Sequence, residues 1–186
     1  MDVQMISKLS TKLTLFLLVI SSALPASIAQ ASEGRPVTAT PFDNRVLATG
    51  LFFENNVISE PASWRSSVEE LFAVAKSFRY VHVPGNHWQT PEETQARGSG
   101  DCADKSVWLY AQLKKNGYEN VRLMIGKYRS IDPLFHVWVA YTDDQGRSLI
   151  LDPAAQKRIW EAGQFGEGFY KTLYSYDGQG RYRYDF

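Results

Sequence analysis

Only five residues, TDDQG (142–146), separate HVWVAY (136–141) from RSLILD (147–152), and no other feature restricts the fold of this chain as strongly. Two β-branched and aromatic stretches joined so closely return antiparallel, because a parallel crossover needs roughly a dozen residues. Centring the loop on Asp144 pairs Tyr141 with Arg147 and sets His136 opposite Asp152 on one face of the sheet. Cross-strand partners have Cβ atoms about 5 Å apart, within reach of a carboxylate-to-imidazole hydrogen bond. A one-residue slip would send the two side chains to opposite faces. Alone, Asp152-Pro153 also reads as the start of a turn.

The rest of the chain divides into a helical half and a strand half. SVEE (67–70) fits a capping box, and Val68, Leu71, Phe72 and Ala75 recur at helical spacing, so a helix starts at Ser66 or Ser67. Phe78 to Val83 read as extended, and GNHWQTPEETQARGSG (85–100) as a polar, glycine-punctuated loop. A second helix runs from Cys102 to Lys115 and stops at Asn116-Gly117. VRLMIGKY (121–128) is a further strand, and TLYSYDGQGRYRYDF (172–186) a hairpin turning at Asp177–Gly180. Helices followed by antiparallel strands make an α+β domain over 65–186. An irregular lead-in, 32–64, with Pro36, Pro41 and Pro61, precedes it.

The first residues have another purpose. Lys8 and Lys12 precede the apolar run LTLFLLVISSAL (13–24), and Ala29-Gln30-Ala31 follows in small-x-small form. This is the pattern of a signal peptide, 1–31, cleaved before Ser32, and it points to a periplasmic or secreted protein. The run is too short for a bilayer, which takes about 20 apolar residues, and no cysteine follows it to carry a lipid, so no membrane insertion is expected after cleavage. The chain has 20 basic and 20 acidic side chains, and losing Lys8, Lys12 and Asp2 leaves a net charge of −1. That balance gives no electrostatic footprint for nucleic acid. Five Trp, ten Tyr and ten Phe supply a well-packed core, and a monomer is expected.

One cysteine remains to be explained. Cys102 follows GSGD (98–101), so Asp101 is a good N-cap and the thiol lies in the first turn of its helix. Unpaired N–H groups and the helix dipole there favour a thiolate, and the same amides can donate to an oxyanion formed beside the sulfur. Gly98 and Gly100 would allow a tight turn and leave room for a substrate. A buried structural cysteine is the plainer alternative. A nucleophilic thiol needs a base and the base an orienting group, which His136 and Asp152 would supply.

GDCADKSVWLYAQLKKNGY, HVWVAY and LILDP together resemble the three blocks of the transglutaminase-like superfamily of papain-type thiol enzymes. The resemblance runs from about Trp88 to Pro153. It implies a papain/transglutaminase-like core, with a Cys-bearing helix packed on an antiparallel sheet that carries the His and the Asp. Matched block by block, Cys102 is the nucleophile, His136 the general base and acid, and Asp152 the orienting group. For a second oxyanion donor the resemblance points to an upstream glutamine, Gln95 ahead of Gln89, with the Trp88 indole as another option. Trp138 shares the His136 face and either walls the substrate cleft or packs in the core. Some relatives hold calcium with acidic residues beside the Cys; here Asp101 and Asp104 are interrupted by Ala103, and no metal is expected. No zinc-ligand spacing and no phosphate-binding glycine motif is present, and no cofactor is expected. The implied activity is thioester-based hydrolysis, by a cysteine peptidase or amidase, of a protein or peptide substrate in the cell envelope. A transglutaminase using the same triad and a non-catalytic binding module with the same fold are the alternatives.

Overall fold

The structure, a computed structural model, describes residues 34–51, 66–82, 87–129, 133–166 and 168–185; the expected signal peptide, 1–31, lies outside them. In chain order the elements are β1 (Arg35–Pro36), α1 (Asp43–Ala48), α2 (Val68–Ser77), β2 (Arg79–Tyr80), α3 (Pro91–Arg97), β3 (Ser99–Gly100), α4 (Cys102–Lys115), β4 (Val121–Tyr128), β5 (His136–Thr142), β6 (Ser148–Leu151), β7 (Trp160–Glu161), β8 (Tyr170–Tyr176) and β9 (Arg181–Arg183). Seven strands form one antiparallel sheet in the order β1-β9-β8-β4-β5-β6-β7, and β2 pairs with β3 in a short parallel bridge. This is an α+β architecture with helices packed on a large antiparallel sheet.

Capping sets the helix boundaries. Ser67 and Glu70 close a reciprocal capping box on α2, and Asp101 does the same with Asp104 on α4. The stretch expected to be a loop, 85–100, contains α3. Thr90 and Glu93 form its capping box and Pro91 sits in its first turn, where a missing N–H costs nothing. Within the lead-in expected to be irregular, β1 pairs with β9, and α1 follows Phe42, which is buried.

Helix α4 is buried from Ala103 to Tyr110, with α2 and α3 on one side and the sheet on the other. Val107, Leu109 and Leu113 share one core with Leu123, Ile125, Val137 and Val139 of the sheet. Each such side chain contributes roughly 1.5–3 kcal/mol by leaving water. The alternate residues Met124, Trp138 and Ile150 form a second cluster on the opposite face. Lys105 is buried as well. Its Nζ donates to Phe78 O at 3.0 Å and Lys76 O at 3.3 Å, where a cation suits the C-terminal end of α2. Burial and the nearby Lys76 hold its ammonium below the usual range, against the pull of Asp152.

The β5–β6 hairpin is centred one residue later than the sequence suggests. Thr142 pairs with Ser148 and Val139 with Leu151, so the loop is 143–147 and not 142–146. Asp143 closes it: its Oδ1 accepts from Gln145 N and Arg147 N, while Gly146 N donates to Asp143 O at 2.9 Å. Gly146 takes φ +76°, which only that position of the loop sequence accommodates without strain. Continuing this register puts Asp152 opposite Trp138, not opposite His136. The parity is unchanged, so His136 and Asp152 still share a face.

Candidate active site

The start of α4 brings three elements together. Arg79 N donates to Gly98 O and Val81 N to Gly100 O, which clamps the chain on either side of β3 just before the thiol. Gly100 is packed so closely on α4 that an added Cβ would lie 2.5 Å from Asp104 Cβ. Its missing side chain therefore makes room for Asp104, whereas the sequence suggested room for a substrate. Asp104 is fully buried. Its Oδ1 accepts from Gln89 N at 2.8 Å, and its Oδ2 from Gln89 Nε2 at 2.8 Å and Asp101 N at 3.0 Å.

The first-turn amides are nearly all used. Ala103 N and Asp104 N donate to Asp101 Oδ1, and Lys105 N to Asp101 O. Among the described residues the amide of Cys102 is the one N–H of this turn without a hydrogen-bond partner, which makes it the group of the turn available to an oxyanion. Gln89 is 1% exposed and its amide N–H groups go to Asp104 and to Ser99 O, so it has none to offer an oxyanion. Trp88 is buried and tilts against Phe42, with ring centroids 6.4 Å apart. Gln95 is exposed on α3, and its side chain has no hydrogen-bond partner among the described residues.

His136 opens β5 and joins the other two groups. Its Nε2 lies 2.7 Å from Asp152 Oδ2, and the ring is close enough to Cys102 for the thiol to act on its protonation. With Nε2 on the carboxylate, Nδ1 is the nitrogen available to the thiol. Burial pushes the imidazole down, but the bonds to Asp152 and Cys102 and their negative charges outweigh it, and His136 is pushed up to about 10. Asp152 is fully buried, and four donors fix it. Ala154 N and Ala155 N reach Oδ1 at 3.1 and 2.9 Å, while His136 and the Tyr170 hydroxyl, 2.8 Å away, share Oδ2.

Sequence reasoning missed Tyr170. It comes from β8, two strands from β5, and burial together with the Asp152 charge pushes its phenol well up. Gln156 Nε2 donates to Tyr170 Oη at 2.9 Å and to Tyr128 Oη at 3.3 Å. Tyr128 and Trp138 pack on the imidazole, at centroid distances of 5.2 and 6.1 Å. Trp138 is only 2% exposed, so it supports the ring from behind instead of walling a cleft. Tyr80 stands out at 55% exposed, close enough to Cys102 and Asp101 for their charges to add to burial in raising its phenol.

Sheet order and the Cys-bearing helix define a transglutaminase-like fold. Among solved structures the chain is similar to Legionella pneumophila LapG in a calcium-bound form, with 21% identity, a TM-score of 0.54, and coverage of 76% of this chain and 75% of that one. An EGTA-treated LapG gives 20% identity, a TM-score of 0.56 and 80% coverage of both chains. No family model and no curated protein sequence matches the chain. The residues beside Cys102 do not fit a calcium ion. Asp104 is fully buried under three N–H donors and Asp101 Oδ1 caps the helix, so of the four carboxylate oxygens only Asp101 Oδ2 accepts no hydrogen bond among the described residues, one ligand where calcium takes about six to eight. Among the described residues no three His, Cys, Asp or Glu side chains are grouped to hold a metal, and no helix is long and apolar enough to cross a membrane.

Proposed function

We propose that this protein is an exported cysteine peptidase or amidase acting through a Cys102–His136–Asp152 triad on protein or peptide substrates of the cell envelope. One observation carries the reading: His136 bridges the Cys102 thiol at a helix N-terminus and the buried Asp152. Cys102 Sγ attacks the amide carbon, and the resulting oxyanion takes a hydrogen bond from the Cys102 amide. His136 gives a proton to the departing amine, the C–N bond breaks and a thioester remains. His136 then takes a proton from water, which attacks the thioester and returns the thiol. Asp152 holds the imidazole orientation and stabilises its charged form. The expectation of export rests on the pattern of residues 1–31.

The test uses the protein lacking residues 1–31, a mixed peptide pool and a labelled primary amine. Peptide cleavage lost in both Cys102→Ala and His136→Ala supports the reading. Amine incorporated into glutamine without cleavage would move it to a transglutaminase. Absence of both, with Cys102 alkylated by iodoacetamide no faster than free cysteine at pH 6 to 7, overturns it.

A further inference from the structure

Beyond His136, on the sheet face opposite α4, a row of rings leads away from the site. Tyr128 packs on His136 and touches Phe169 at 5.1 Å, Phe169 stacks on Phe165 at 4.9 Å, and Phe165 meets Trp160 at 5.4 Å. Each end carries a guanidinium. Arg158 lies 3.8 Å over Trp160, and Arg129 lies 5.3 and 5.5 Å from the Tyr128 and Phe169 rings. Arg129 is the one non-glycine residue with positive φ (59°) among the described residues, and its N–H is tied to Phe169 O at 2.7 Å. A non-glycine residue rarely adopts that backbone, and here it sets the guanidinium on the rings.

The rings are half-buried while Arg129, Lys157 and Arg158 are exposed, and among the described residues none of the three has a side-chain hydrogen bond or ion pair. Trp160 Nε1, near Arg158, is a buried donor without an acceptor there. The neighbouring acid Glu161 faces Arg147 at 3.7 Å, and Asp152 is consumed by its four donors. Among the described residues the shelf therefore presents positive charge and N–H donors, and no carboxylate there is left unpaired. Ring stacking occupies the flat face of a guanidinium and leaves its N–H edge free for a carboxylate.

We propose that this shelf binds an acidic segment of the peptide substrate, on the amine side of the bond that is cut. The placement rests on the peptidase reading, because the departing amine takes its proton from His136 and the leaving half then runs over the imidazole toward Tyr128.

Fluorescence polarisation of a labelled oligoglutamate with the Cys102→Ala protein tests the shelf without catalysis. Oligoglutamate should bind, oligolysine should not, and added salt should weaken binding. Arg129→Ala with Arg158→Ala should cost roughly tenfold in affinity, two exposed ion pairs' worth, with the melting temperature unchanged. No binding, binding indifferent to the double substitution, or equal binding of a single-stranded oligonucleotide through the same arginines overturns the proposal. In a cleavage library the active protein should enrich Asp and Glu on the amine side, and Arg129→Glu with Arg158→Glu should reverse the preference. Cleavage without acidic preference sinks the shelf and spares the peptidase reading. Arginine-dependent binding with no peptide cleaved does the reverse.

Discussion

His136 Nε2 and Asp152 Oδ2 are 2.7 Å apart although the two residues are diagonal, not direct, cross-strand neighbours. The contact survives because Asp152 lies just past the end of β6, where Ala154 N and Ala155 N turn the carboxylate back toward β5.

All four neighbours of that carboxylate are donors, so Asp152→Asn must aim its NH2 at one pair of them. Facing Oδ2's partners, it forces the proton to the Nδ1 side of His136 and removes the base. Facing Ala154 and Ala155, it leaves two N–H groups unbonded. Turnover should fall about 10²- to 10⁴-fold and stability by about 1–3 kcal/mol. Alkylation of Cys102 should fall much less than turnover. Steady-state kinetics, urea unfolding and iodoacetamide rates measured together check this, and unchanged turnover would remove Asp152 from the triad.

Tyr170→Phe keeps the ring against Trp138 and deletes one donor to Asp152 Oδ2. A hydrogen bond to a charged group contributes about 1.5–3 kcal/mol, and the carboxylate keeps its other three donors. Turnover should drop by about tenfold with KM unchanged. A rise in KM alone would place Tyr170 in substrate binding instead.

Caps explain most of what could be read in the sequence. Asp101 and Asn116-Gly117 mark both ends of α4 locally, and Ser67-Glu70 marks the start of α2. Thr90-Pro91-Glu92-Glu93 carries an equally good signal for α3, but the surrounding glycines and polar residues hid it. The hairpin centre is ambiguous in the sequence because two adjacent aspartates can each open the turn, and Gly146 decides between them only through its backbone angle. His136 and Asp152 could still be paired because a shift by two in register preserves the face. Tyr170 had no local signature. Its contact with Asp152 depends on β8 pairing with β4 after β5, β6 and β7 have intervened in the chain, which no spacing within one segment reveals.

Gly100→Ala would set a methyl group 2.5 Å from Asp104 Cβ and 2.9 Å from Oδ2. Neither atom is the free end of a mobile side chain, so the first turn of α4 must move and loosen the bonds to Gln89 and Asp101. Stability should fall by about 1–3 kcal/mol, and the thiol should be displaced from His136. Thermal unfolding with iodoacetamide rates checks both. A variant as stable and reactive as the wild type would contradict the close packing at this position.

Chelation should do nothing. Because N–H groups engage both Asp104 oxygens and Asp101 Oδ1, and only Asp101 Oδ2 accepts no hydrogen bond among the described residues, EGTA or added calcium should leave the melting temperature and the Cys102 alkylation rate unchanged. Loss of reactivity on chelation, restored by calcium, would show that these carboxylates rearrange around an ion.

The charged imidazole makes stability depend on pH with a definite sign. His136 is held up to about 10, above its ordinary 6.5, because the bonds and charges of Asp152 and Cys102 outweigh burial. A folded-state value above the unfolded one means that the folded protein binds the proton more tightly. The stabilisation is therefore complete below about pH 6.5 and is lost as the pH rises through about 10. His136→Gln is neutral throughout and lacks this contribution. The unfolding free energy of the wild type should exceed that of His136→Gln most at pH 6, and the gap should close above pH 10. Groups that do not interact with His136 titrate alike in both proteins and cancel in the difference. Urea unfolding at a series of pH values measures the gap directly, and a gap that stays constant or widens with rising pH would mean that His136 is not held as an imidazolium.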